Sequence, residues 1–260
     1  MKLSLSGRLV ENGGASDLSL RAFLELAVRN GYDAVDLRAS QVKPDTLQAT
    51  IDALANDLAE LGLEVFELQY AGGFEGDDAA VFAAFAERAA SLGAVGIRVN
   101  GDVPALGKAA RLAAPAGVNV LYQMHTGGAF ETIASAAQTI EEIGEPNFGV
   151  LPEPANLMMA SETFSTDMFA PLADHVFGVH VQTLLVGDQG ENTLKLADGT
   201  PVSYSRVPFA DNTQTPWQTF FDALRAIGFD GHVNELEPHQ DPAILEQTAA
   251  EAAAFLRPLL

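Results

Sequence analysis

Eight short apolar runs alternate with amphipathic helix-type segments along the whole chain, and this rhythm limits the fold more than any single motif. The β-type runs are Leu3–Leu5, Ala34–Leu37, Glu64–Leu68, Gly96–Val99, Asn119–Met124, Phe148–Leu151, Val176–Val181 and His232–Leu236. Between them apolar residues recur at helical spacing. Leu18–Arg29 carries Leu20, Phe23, Leu24, Ala27 and Val28, and Thr46–Leu61 carries Leu47, Ile51, Leu54, Leu58 and Leu61. Asp77–Leu92, Phe130–Ile143, Pro216–Ile227 and Pro242–Leu259 read the same way, and Gly31, Gly62, Gly93, Gly144 and Gly228 stand where helix stops are expected. Strands separated by helices must run parallel, because each helical crossover returns the chain to the same end of the sheet. With 260 residues the expected fold is α/β, a single (β/α)8 TIM-barrel domain over residues 1–260, the economical closed arrangement at roughly 250 residues. An open doubly wound sheet is the other architecture. No GxGxxG follows the first run, which disfavours a dinucleotide domain.

One segment breaks the rhythm. Residues 184–215 form an insertion after the seventh run, with Asp198-Gly199 between TLKLA and TPVSYSRV as a hairpin signal. Long loops on a catalytic rim are usually lids or binding loops. The chain carries 35 acidic against 14 basic residues, a net charge of −21, which repels polyphosphate and excludes nucleic acid as a natural partner. No apolar run approaches the roughly 20 residues of a membrane span, and MKLSLSGRLVENGG reads as a first strand and not a signal peptide. A cytoplasmic protein without membrane association is the expectation. The absence of cysteine excludes disulfides, thiolate metal sites and Cys nucleophiles.

Four of the runs end in ligand-type side chains: VNVLYQMHT (118–126), FGVLPEPAN (148–156), VFGVHVQT (176–183) and GHVNELEPH (231–239). Carboxylates, imidazoles and amides are costly to bury unless they are paired or used. Parallel-barrel strands deliver their last residues to one rim, so the four ends are expected to build a common site.

Three stretches carry a family resemblance: GYDAVDLR (31–38), GIRVNGD (96–102) and PWQTFFDALRAIGFDGHVNELE (216–237). Over nearly its whole length the chain resembles the xylose isomerase-like TIM barrels, a group of sugar isomerases and epimerases. The resemblance implies a divalent ion (Mn²⁺, Mg²⁺, Co²⁺ or Zn²⁺) held by carboxylates and one imidazole from strands 5 to 8. It also implies two glutamates that move a proton between neighbouring carbons. Carried onto this sequence, the metal ligands are Gln123, Glu153, His180 and Glu235, with Glu237 as the alternate on strand 8. Gln123 departs from the pattern, since an amide can lend its oxygen to a metal but cannot take a proton at neutral pH. The catalytic candidates are therefore Glu235, Glu237 and His125, which follows Gln123 by two residues.

Arg38 and Arg98 are candidates for a substrate carboxylate or phosphate, or else for ion pairs with Asp36 and Glu67 inside the barrel. Asn156 and Arg206 complete the substrate-binding set, Arg206 resembling a family arginine that reaches over the substrate. The expected function is a metal-dependent isomerase or epimerase of a sugar, polyol or keto acid. A metal-assisted lyase or dehydratase on the same barrel stays open, as does a non-catalytic sugar-binding or partner homologue that has lost its metal. The expected partner is a small carbohydrate-like molecule, and a homo-oligomer is compatible with the sequence.

Overall fold

A computed structural model describes residues 1–260. Eight parallel strands alternate with helices: β1 (Lys2–Ser6), β2 (Ala34–Leu37), β3 (Glu64–Gln69), β4 (Gly96–Arg98), β5 (Asn119–Gln123), β6 (Phe148–Leu151), β7 (Val179–Val181) and β8 (His232–Glu235). Their order in the sheet is β6-β5-β4-β3-β2-β1-β8-β7. A parallel bridge between Val150 and Val176, with the His180 N–H donating to the Pro152 carbonyl at 3.1 Å, brings the two outer strands together. The result is a nearly closed barrel.

Helices α1 (Leu20–Arg29), α2 (Gln48–Leu61), α3 (Asp77–Ser91), α4 (Val103–Ala113), α5 (Ile133–Ile143), α6 (Pro154–Met159), α7 (Trp217–Ala226) and α8 (Leu245–Leu256) surround it. Ser19 caps α1, its hydroxyl accepting the Ala22 N–H, and Asp241-Pro242 forms a turn ahead of α8. Helix α4 buries Leu106, Ala109, Ala110 and Ala113 on one face and is capped by Asp102, while the short α6 is capped by Glu153.

Strand alternation sorts the side chains into two cores. Leu3, Leu5, Val35, Val65, Ile97, Val120, Val150 and Val233 join the 60-residue cluster beneath the helices. Each such fully buried side chain contributes about 1.5–3 kcal/mol of transfer free energy. Ala34, Phe66, Leu121 and Leu151 form a separate apolar cluster, the floor of the barrel interior. Gly178 is required there, because a Cβ at that position would lie 2.3 Å from the Phe66 ring. Above the floor the buried residues turn polar: Ser4, Asp36, Glu67, Arg98, His180 and Asn234. A register shift pairs Val35 with Val65 but Asp36 with Glu67. This bulge sends both Phe66 and Glu67 inward.

Residues 184–206 form an arm between β7 and α7. Leu184–Val186, Asn192–Lys195 and Pro201–Arg206 make a three-stranded antiparallel sheet with the last segment central, turning at Gly199 with φ +87°. Its Val186, Leu194, Val202 and Tyr204 pack on a small core of Ala155, Met159 and Leu184. The Glu131 carboxylate accepts N–H bonds from Gly127 (2.6 Å) and Ala197 (2.8 Å), tying the arm to the loop after β5. The arm thus runs from β7 past α6 to the loop after β5, along one sector of the C-terminal rim. No helix is long and apolar enough to cross a membrane.

Candidate active site

Glu153 leaves the end of β6 and caps α6, so one carboxyl group is both a helix cap and a rim residue. Its Oε1 accepts the Ala155 N–H at 2.9 Å, and its Oε2 accepts Gln182 Nε2 at 2.9 Å and the Asn156 amide. Asn156 also donates to the Met124 carbonyl (3.0 Å), which holds it between β5 and β6. Glu153 is completely buried. Burial penalises its charged form more than the Gln182, Ala155 and Asn156 hydrogen bonds favour it, pushing its pKa up to about 7. The carboxyl group can therefore gain or lose a proton near neutrality.

Deeper in the barrel the polar groups are paired with one another. Glu67 meets Arg98 Nε at 3.0 Å and His180 Nε2 at 3.1 Å. Burial works to raise the Glu67 pKa, but the adjacent imidazole and guanidinium outweigh it and hold the group below the usual range. Arg98 Nη1 donates to Gln123 Oε1 at 3.2 Å. Asp36 accepts from Ser6 (2.5 Å) and Asn234 (3.3 Å), and burial with Glu67 nearby raises its pKa. Arg98 thus takes the ion-pair alternative with Glu67, whereas Arg38 pairs with Glu11 at 3.0 Å and not with Asp36.

The expected metal-ligand set of Gln123, Glu153, His180 and Glu235 is not assembled, and no three His, Asp or Glu groups are arranged anywhere in the chain to hold a metal ion. Gln123 faces a guanidinium, His180 faces Glu67, and Glu153 is enclosed by amide donors. An arginine beside the metal position would repel the ion that the missing carboxylate should attract. The donors present do not fit a resident divalent ion.

Strand 8 also differs from expectation. Asn234 faces the barrel interior, so by alternation Glu235 shares the outer face with Val233. Its Oε1 accepts the Glu237 N–H at 2.8 Å, and its Oε2 has no partner. Burial, with Glu237 next to it, pushes its pKa up to about 8. Glu237 is the strand 8 carboxylate that reaches the rim: its Oε1 accepts from the Thr183 N–H and hydroxyl, both at 3.2 Å. His125 sits exposed on the rim, bonded only to its neighbour Thr126, and the structure does not bring it to the other candidates.

Two site residues were missed in the sequence. Gln182 joins the pieces: its Nε2 donates to Glu153, while its Oε1 accepts Arg206 Nη1 at 2.7 Å and Arg8 Nη1 at 3.4 Å. Arg8 also donates to the Leu236 carbonyl at 2.9 Å. Gln182 stands two residues after His180 in the VFGVHVQT run, and that placement was the available signal. Arg206 further lines a cleft of ≈ 780 Å³ with Glu237, Pro238, Phe209 and the outer face of α8.

The fold and this rim together define a TIM-barrel protein whose polar centre lies at the C-terminal mouth, the usual place for a barrel's chemistry. The sequence model of the xylose isomerase-like TIM barrel family matches residues 103–259, and the chain belongs to that family. Among solved structures, D-psicose 3-epimerase with D-tagatose from Clostridium cellulolyticum H10 superposes with a TM-score of 0.76 at 15% identity, covering 100% of this chain and 99% of that one. The IOLI protein with a bound zinc atom gives 0.69 at 18% identity, with 100% and 96% covered. A probable 3-DHS dehydratase from Bacillus anthracis gives 0.70 at 15% identity, with 98% of each chain covered. At such identities these similarities establish a shared fold. No curated protein matches the sequence.

Proposed function

We propose that the protein is a proton-transfer enzyme, an isomerase or epimerase of a small carbohydrate-like substrate, with Glu153 as its acid–base group. The observation that carries this reading is Glu153 itself: a buried rim carboxyl, fixed by three donors and titrating at about 7. General acid–base catalysis is most efficient when the group's pKa lies near the working pH. Perturbed carboxyls in a barrel mouth are functional candidates on physical grounds. As a carboxylate, Glu153 takes a proton from the carbon next to a substrate carbonyl; as the acid, it returns that proton to the neighbouring carbon while the hydroxyl proton passes to the former carbonyl oxygen, which completes an isomerisation. The enediolate formed between these steps is anionic, and the rim places Arg8 and Arg206 around Gln182, the residue that holds Glu153. Cationic donors fixed in advance stabilise such developing charge.

The family's relay uses two carboxylates, and Gln123 takes the place of one. That substitution favours a second reading, a lyase or dehydratase in which one base removes the proton and a β-hydroxyl departs. Both readings are tested by incubating the protein in D₂O with ketoses and hydroxy-keto acids and following the substrates by ¹H NMR. Deuterium entering beside the carbonyl, with rearranged or inverted product, supports the isomerase. Loss of the hydroxyl to give a deoxy-keto product supports the lyase. If no substrate in either class exchanges a proton, both readings fail.

A further inference from the structure

The chain is strongly acidic, yet two of its ten arginines stand at the catalytic mouth without an acidic partner. Arg38 and Arg98 are ion-paired with Glu11 and Glu67. Arg8 and Arg206 have no carboxylate within 4.0 Å, and both donate through Nη1 to the same neutral oxygen, Gln182 Oε1. Two guanidiniums thus converge on one neutral amide oxygen with no ion pair of their own, while Glu153, Glu235 and Glu237 act on them only from beyond 4.0 Å. Glu237, the carboxylate acting on both arginines from farther off, has its Oε1 committed to Thr183. Burial, and then the repulsion of Arg206, Arg38 and Arg98, lower the pKa of Arg8 to about 10. Arg206 also lines a cleft of ≈ 780 Å³ with Glu237, Pro238 and residues of α8.

We propose that Arg8 and Arg206 form an oxyanion subsite, and that the substrate is a sugar acid or sugar phosphate whose carboxylate or phosphate replaces Gln182 Oε1 as their common acceptor. Planar guanidinium forks are suited to such groups, each offering two parallel N–H donors. A neutral sugar would leave the two cations as they are, whereas an anion compensates both. This inference names the substrate class for the proton-transfer reading and rests on it for the place of the reacting carbon. The anion site itself stands on the two arginines.

The test is equilibrium binding by titration calorimetry at low salt, with matched neutral and charged probes. D-Gluconate is compared with D-glucitol, and D-fructose 6-phosphate with D-fructose. The full-length protein is expected to bind at least one charged probe ten or more times more tightly than its neutral match. Preference for gluconate identifies a carboxylate site, and preference for the phosphate ester a phosphate site. In Arg8→Gln and Arg206→Gln the preference should fall to within about twofold. Gln182→Glu supplies an internal carboxylate to both guanidiniums and should abolish the preference without unfolding the protein, as checked by thermal melting. Equal binding of charged and neutral probes, or a preference that survives both arginine variants, overturns the proposal. Because binding is read without turnover, proton exchange on neutral sugars with no anion preference would remove this inference alone. Anion binding with no exchange would remove the reaction and leave the site.

Discussion

The ends of β6 and β8 each carry a completely buried glutamate whose pKa is raised, Glu153 to about 7 and Glu235 to about 8. By that measure alone they are equivalent. Their surroundings are not. Both Glu153 oxygens are hydrogen-bonded, one of them to Gln182, which connects it to Arg8 and Arg206 at the mouth. Glu235 accepts a single backbone N–H, leaves Oε2 without a partner and shares the helix-facing side of its strand. Burial by itself raises a carboxyl's pKa, so the shift locates desolvated groups and not catalytic ones. The donors around the group, and the face it occupies, decide which of the two can work on a substrate.

Neutralising each carboxyl in turn gives the largest expected difference. Glu153→Gln should slow deuterium exchange into substrate by about 10²–10⁴-fold, the usual contribution of a general acid–base group. Glu235→Gln should change it less than about threefold. Equal losses in the two variants, measured by the same NMR assay, would end the distinction between the strand ends.

The second test concerns stability against pH. Both folded-state pKa values lie above the unfolded value of roughly 4.5. The folded protein therefore keeps these protons where the unfolded chain has lost them. The resulting stability is fully present below about pH 4.5 and is lost as pH rises through 7 to 8, on the order of a few kcal/mol in total. Thermal melting from pH 5 to 8.5 should show the decline, and Glu235→Gln should flatten it. A variant that keeps the wild-type slope would show that Glu235 is not held neutral.

Smaller changes probe the partners. The Gln182 hydrogen bond lowers the Glu153 pKa, so Gln182→Leu should move the midpoint of the pH–exchange profile upward; an unmoved midpoint would detach Gln182 from the acid. Thr183→Val removes the hydroxyl shared by Glu237 and the Val207 carbonyl. Its expected cost is about 1–3 kcal/mol of stability in denaturant titration, with exchange changed less than about threefold.

Much of this molecule can be read in one dimension. The runs at Ala34–Leu37 and Phe148–Leu151 coincide with β2 and β6, and Asp198-Gly199 makes the turn of the arm. The legible features share a cause, because periodicity, helix stops and turn residues act within a few positions of themselves. The strand 8 face was harder. The strand ends at Glu235, and the face this residue takes depends on the register against β1 and β7, where it aligns with Leu5 and Val181.

The sequence by itself determined a parallel barrel; it marked a hairpin in the insertion and offered Glu153 and His180 as metal ligands. Tertiary structure decided how the polar groups pair. Arg8 meets Gln182 across 174 positions, Gln182 meets Glu153 across 29, and His180 meets Glu67 across 113. No local pattern encodes such meetings, because they arise only when the sheet curls closed and brings its first and last strands around a common axis. Barrel closure turned an expected metal cradle into a set of ion pairs, a neutral-range acid and two arginines without an acidic partner.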